Sequence, residues 1–248
     1  MARIGLQLYT LREDAARDLE GTIARVGAAG YEGVELHAID GAEPAEVRSW
    51  LDRANLTVAG WHAQLPAIED DLDGLAELLA ALGTTRLTLS WIEAPATSAG
   101  ADELAGRILA AAGRVSERGL AFGFHNHAGE VRPLDDGRSF LDRLLDAPAD
   151  LVALELDLGW IWDAGADPEQ LLRRAAGRCP LVHVKDFAAR DARAFVPVGD
   201  GSVGYERVLP AAIDAGAEWL LVEQDETDGP AFAAVERSLA AVRRMLGR

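Results

Sequence analysis

His183 and Lys185 stand two residues apart in the apolar run Leu181-Val182-His183-Val184-Lys185-Asp186. Lys185 is the only lysine among the 24 basic side chains of the chain. A protein that takes arginine for its surface charge gains little from one exposed lysine. It gains more from a compact ammonium of tunable pKa at the end of a strand. Similar polar endings close the other apolar runs: Gln7 with Tyr9, Glu35 with His37, His62, His125 with His127, Glu155 with Asp157, and Glu223. All five histidines lie at or near such ends. One of them alone is readily read as a satisfied interior side chain. Five together are not, because buried imidazoles and carboxylates without partners are costly. They must pair with one another or bind a cation.

A divalent metal fits the second alternative. His125, Asp157, His183 and Glu223 offer two imidazoles and two carboxylates from four successive strands. That mixed set suits Mn²⁺, Fe²⁺, Co²⁺ or Zn²⁺, with Mg²⁺ also admissible, and it leaves positions for a substrate's oxygens. The linear spacing is not a local metal motif. The set exists only if the strands converge.

The pattern of elements predicts that convergence. Short β-rich runs alternate eight times with longer Ala/Leu/Arg/Glu stretches of helical period. The predicted strands are Arg3–Tyr9, Gly33–His37, Thr57–His62, Arg86–Trp91, Ala121–His127, Val152–Asp157, Leu181–Lys185 and Trp219–Glu223. Helices fill the gaps, among them Ala15–Ala29, Leu72–Leu82, Glu103–Arg118, Pro168–Ala176 and Ala231–Leu246. Glycines at 30, 83, 119 and 216 sit where helices should stop. Asp167-Pro168 reads as an N-cap followed by an N1 proline. Eight such units over residues 1–248 predict one α/β domain, a (β/α)₈ TIM barrel. An open doubly wound sheet would more often carry a glycine-rich loop after its first strand; here that loop is Tyr9-Thr10-Leu11-Arg12-Glu13. In a barrel these strand ends share one face, where such folds keep their chemistry. The long connection from Asp186 to Gly204 lies on that face.

Composition narrows the partners. A formal net charge of −17 opposes binding to nucleic acid. A single cysteine, Cys179, excludes an internal disulfide framework and a Cys-rich zinc site. No run approaches the roughly 18 apolar residues of a membrane span, and the opening residues lack the pattern of a secretory signal. A cytoplasmic protein with no membrane partner is the simplest expectation. An exposed face near Trp50 or Trp61 could serve a homo-oligomer.

The chain resembles the sugar phosphate isomerase/epimerase family, the xylose isomerase-like TIM barrels. The resemblance spans the chain and rests on Phe124-His125-Asn126-His127, Glu155-Leu156-Asp157-Leu158-Gly159-Trp160, His183-Val184-Lys185-Asp186, Val198-Gly199-Asp200-Gly201 and Val222-Glu223-Gln224-Asp225. It implies a divalent ion at the barrel mouth held by Glu, Asp, His and Glu from strands five to eight. Three of these fall on Asp157, His183 and Glu223; the fifth-strand position departs, with His125 in place of glutamate. Epimerases of the family use two facing glutamates, so the resemblance supports fold and metal better than a symmetric two-carboxylate exchange.

The expected chemistry is proton abstraction next to a carbonyl of a sugar, keto-sugar or cyclitol, through a metal-stabilised enediolate. Glu223 is the expected base, with His125 or His127 as the second acid/base. Lys185 would hold a substrate oxygen, or else form an ion pair with Glu155 or Asp186. Glu35, His62, Glu155 and Trp160 are expected to contact the carbohydrate, Trp160 with its flat apolar face. A metal-dependent lyase or dehydratase, of the inosose dehydratase or 3-keto-glycoside-cleaving kind, is the alternative. A non-catalytic sugar-binding barrel is a further one. Family endonucleases need more histidines than this chain has and a surface that welcomes DNA.

Overall fold

The computed structural model describes residues 1–39, 41–190 and 194–248. Seven strands come first in the chain: β1 (Arg3–Gln7), β2 (Gly33–Leu36), β3 (Thr57–Ala63), β4 (Arg86–Leu89), β5 (Ala121–His125), β6 (Ala153–Asp157) and β7 (Leu181–Val184). A short antiparallel pair, β8 (Asp186–Phe187) with β9 (Phe195–Val196), follows, and then β10 (Trp219–Val222). β1 to β7 and β10 close into a parallel barrel in the order β1-β10-β7-β6-β5-β4-β3-β2. The predicted (β/α)₈ barrel is therefore the observed fold.

Helices surround the barrel: α1 (Arg12–Arg17), α2 (Leu19–Ala29), α3 (Pro44–Arg53), α4 (Leu65–Asp70), α5 (Leu72–Leu82) and α6 (Ser98–Glu117) in the first half. The second half adds α7 (Ala128–Val131), α8 (Phe140–Leu145), α9 (Leu158–Asp163), α10 (Pro168–Arg174), α11 (Tyr205–Asp214) and α12 (Ala231–Met245). The main core lies between the strands and these helices. α2 and α5 end at Gly30 and Gly83, whose φ values of 99° and 76° only glycine adopts without strain. The Asp167 side chain accepts from the Glu169 N–H ahead of α10, as its sequence predicts.

Several boundaries differ from expectation. The helix expected over Ala15–Ala29 is broken at Asp18, which leaves helical geometry and caps α2 by accepting from the Gly21 N–H. Most strands stop one or two residues short of their predicted C-terminal ends. Their last polar residues have left the ladder to face the mouth. Trp61, expected near an exposed face, is buried at 7% exposure and belongs to the core. Trp50 is half-buried against α2. Among the described residues no helix is long and apolar enough to cross a membrane.

Two features of the barrel interior position the site. Trp219 fills the floor with Ala59, Leu181 and Leu221, a cluster separate from the outer core. Its ring lies over Gly5 and Gly33, where a Cβ would fall 3.2 Å and 2.4 Å from ring carbons. Higher up, β2 and β3 slip register by one residue: Val34 pairs with Val58, but Glu35 pairs with Gly60. This bulge lets Ala59 and Gly60 both face inward, and His62, two residues on, faces inward as well. Gly60 leaves room for Glu35, since a Cβ there would lie 2.8 Å from Oε1.

Gly33→Ala would drive a methyl into both the Trp219 ring and the Thr57 carbonyl. We expect a loss of about 1–3 kcal/mol from overpacking, read as a lower urea midpoint at unchanged slope. An unchanged midpoint would show that the floor is not tightly packed.

Candidate active site

The barrel delivers its polar side chains to the mouth in two tiers. In the deeper tier Glu35 and Glu155 are fully buried. Gln7 donates to Glu35 Oε2 at 2.8 Å, and Thr88 donates to Glu155 Oε2 at 2.9 Å. His62 Nε2 donates to Glu155 Oε1 at 2.6 Å, and His183 Nε2 donates to Glu35 Oε2 at 2.7 Å. The expectation that Glu35 and Glu155 touch substrate hydroxyls does not fit this depth. Both are occupied beneath the mouth.

The upper tier holds His125, Asp157, His183 and Glu223, the set expected from the sequence. One donor atom from each lies within 4.8 Å of the others. His125 and His183 belong to both tiers. Nδ1 of His183 donates to Glu223 Oε2 at 2.8 Å while its Nε2 points down to Glu35 and Glu155. His125 turns Nδ1 toward Glu155 at 3.3 Å and Nε2 toward Asp157 at 4.0 Å. A second cluster, His62, His125, Glu155 and His183, likewise brings one donor atom from each residue within 4.8 Å of the others. The short hydrogen bonds of His62 and His183 close it with protons, so it reads as support that orients the ligand rings.

Lys185 differs from both sequence expectations. Its Nζ lies 3.2 Å from Asp157, 2.9 Å from Glu223 and 2.8 Å from Asp225, and it pairs with neither Glu155 nor Asp186. The side chain is 1% exposed, so the ammonium is committed to three carboxylates rather than free for a substrate oxygen. Its backbone is clamped as well. The Tyr205 hydroxyl accepts from the Lys185 N–H and donates to its carbonyl. A Cβ at Gly159 would fall 2.3 Å from that carbonyl oxygen. Asp186 instead accepts from the backbone N–H groups of Phe187, Gly199, Gly201 and Val203, which shapes the long loop around the expected Val198–Gly201 turn.

Other residues were not singled out from sequence. Asp225 is the third partner of Lys185. Asn126 ties the end of β5 to β6 by accepting from the Asp157 N–H. Glu130 accepts from the His127 N–H and fixes the start of α7. A carboxylate three residues after a predicted strand end was the available signal for Glu130. Trp160 packs among His127, Phe187 and Phe195, with the Lys185 ammonium 5.2 Å from its ring centre.

The charges follow from burial and neighbours. Burial alone would lower His62 and His183, but their carboxylate partners outweigh it. His62 is raised to about 10 and His183 stands well above the usual imidazole range. Burial and the positive His183 hold His125 well below that range, and burial with Lys185 pushes His127 down to about 3. Burial pushes Asp157 up to about 6 against the pull of Lys185. Burial also acts to raise Glu223, but Lys185 and His183 prevail and keep it well below the usual carboxylate range.

The donor set fits a divalent cation on two observations. Asp157 caps α9 with Oδ1, which accepts from the Trp160 N–H. Its buried Oδ2, 3.2 Å from the Lys185 ammonium, accepts no well-directed hydrogen bond. Above the set opens a cavity of about 670 Å³, lined in part by His62, His125, His127, Glu223 and Asp225.

Residues 23–245 match the model of the xylose isomerase-like TIM barrels. The chain belongs to that family. Over 134 residues it is 27% identical to inosose dehydratase of Clostridium perfringens, a stretch covering 47% of this chain and 44% of that enzyme. The chain thus spans less than half of that relative's length. In fold it is similar to a sugar phosphate isomerase/epimerase from Parabacteroides distasonis (TM-score 0.85, 22% identity, covering 97% of this chain and 98% of the other). It is likewise similar to a probable 3-DHS dehydratase from Bacillus anthracis (TM-score 0.78, 16% identity, 97% and 98%). Structures that share this fold thus include one named an isomerase/epimerase and one named a probable dehydratase.

Metal binding should release protons. His183 is protonated near neutrality without metal and Asp157 titrates near 6, yet both must be deprotonated to ligate. Mn²⁺ or Co²⁺ affinity should therefore rise by about tenfold per pH unit per proton released between pH 6 and 8; a flat profile would remove His183 from the ligand set. Lys185→Met should cost the metal-free protein about 3–5 kcal/mol, because three carboxylates lose their buried partner. A melting temperature within a degree or two of wild type would contradict that.

Proposed function

We propose that this family member is a divalent-metal-dependent enzyme of the isomerase/epimerase kind, removing the proton beside the carbonyl of a sugar, keto-sugar or cyclitol. One observation supports this above others. Among the described residues, Glu223 and His125 belong both to the donor set and to the wall of the open cavity. A divalent ion held by His125, Asp157, His183 and Glu223 would polarise the carbonyl and stabilise the charge left by proton loss.

The chain's own groups supply the rest. Glu223 is kept ionised and turned toward the cavity by Lys185 and His183, and it takes the proton. Lys185 acts through Glu223, Asp157 and Asp225 as a positioning residue. Burial and Lys185 keep His127 neutral, so its imidazole can relay a proton on another wall of the cavity without holding it. Below, His62, Glu35 and Glu155 hold the rings of His125 and His183 in place.

A second reading is loss of a β-substituent. The proton that Glu223 takes can pass to the leaving group, directly or relayed through the neutral imidazole of His127. The stretch shared with inosose dehydratase supports that elimination.

Incubating the metal-loaded protein in D₂O with ketoses, a keto-cyclitol and a 3-keto-glycoside, followed by NMR, separates the outcomes. Solvent deuterium beside the carbonyl of an unbroken product supports isomerisation or epimerisation, and loss of water or aglycone supports elimination. Glu223→Gln should lower either rate by at least about 10²-fold. Sugar binding with no exchange and no product on any of these substrates would leave a binding barrel instead.

A further inference from the structure

The cavity above the metal-ligand set is larger than one sugar ring needs. At about 670 Å³ it falls in the range that buries a drug-sized molecule. Its two ends differ in kind. One end presents His62, His125, His127 and Glu223; the other runs out between the β3 and β4 ends and is walled by Ala63, Ala67, Leu75 and Trp91.

That second end leaves apolar surface uncovered. Among the described residues, the large apolar side chains counted as exposed are Met1, Tyr9 at 39% and Trp91 at 51%. Tyr9 follows β1 and packs against His37 and Arg12. Trp91 stands in the apolar wall itself. A half-exposed indole in the wall of a cavity marks a binding surface rather than scattered surface apolarity.

The apolar end carries two polar side chains, Gln64 and Ser90, and they bond to each other. Gln64 Nε2 donates to Ser90 Oγ, and Ser90 Oγ donates to the Ala63 carbonyl. A second sugar ring would bring hydroxyls to a wall of alanine, leucine and indole, where burying them unpaired is costly. A flat apolar ring would meet an exposed indole and displace water from it.

We propose that this end of the cavity is a subsite for an aromatic aglycone, so that the protein takes carbohydrate linked to an aryl group. The assignment rests on the polar end receiving sugar, as proposed above. Trp91 and Leu75 supply the surface for the ring, and Ala67 keeps it open by being small.

The test is calorimetric titration of the metal-loaded protein with phenyl and methyl glucosides of both anomers, and with cellobiose and maltose. The phenyl compound of one anomer should bind at least about tenfold tighter than its methyl counterpart and tighter than either disaccharide, as expected for a ring taken out of water. Trp91→Ala and Ala67→Glu, both at exposed positions, should bring the phenyl-to-methyl ratio close to one. Equal phenyl and methyl affinities, no measurable phenyl binding, a ratio untouched by both variants, or tighter disaccharide binding would each overturn the subsite. Failure of the proposed reaction has a separate signature: the aryl preference would stand while deuterium exchange and product formation were absent.

Discussion

Glu35, Glu155, Asp157 and Glu223 are each at most 6% exposed, and Asp225 joins them at the top of the barrel. Carboxylates removed from water to this extent must be compensated, since the penalty is several kcal/mol per ion. His62, His183 and Lys185 supply the compensation, and none of them serves a single partner. The site is therefore one electrostatic unit rather than a set of pairs. Much of the surrounding structure serves to hold those cations. Tyr205 and Gly159 grip the Lys185 backbone, Gln7 and Thr88 fix the deep carboxylates, and Trp219 seals the floor beneath them.

The two imidazoles at the centre give the unit a direction. His125 and His183 turn one nitrogen down toward buried acids and the other up toward Asp157 and Glu223. The lower contacts set ring orientation, and the upper atoms are left to act. Orientation and chemistry are divided between the two ends of the same ring, which is how metal-ligating histidines are usually supported.

Much of this was legible in the sequence. The alternation of β-rich and helical stretches gave the barrel, because a parallel closed sheet leaves a repeating signature of period and punctuation. Strand parity placed His125, Asp157, His183 and Glu223 on one face, and the structure brings them together. Depth along the barrel axis was legible only in part. Glu155 sits two residues before Asp157 on β6, so its lower tier follows from one strand, but the depth of Glu35 depends on the stagger between strands, which no single strand encodes. Asp225 was missed as a partner of Lys185 for another reason: it lies beyond the end of β10, where parity no longer applies. Likewise, the β8–β9 pair rests on one carboxylate, Asp186, gathering four backbone N–H groups across seventeen residues.

The bulge in β3 bears on how such a site can change over evolutionary time. β3 carries one residue more than β2 requires between Val58 and Gly60, and beyond it His62 faces the carboxylates. Its orientation is set by the number of residues between Gly60 and His62, whereas its chemistry is a property of residue type. Point substitutions at position 62 can therefore explore new side chains inside the barrel without disturbing the wall. Loss of Ala59 would leave Gly60 alone opposite Glu35, a regular ladder in which His62 still faces inward and Trp61 outward. The lineage of this barrel should thus tolerate variety at position 62, and even loss of the bulge, more readily than an added residue between Gly60 and His62, which would turn Trp61 and Ala63 inward.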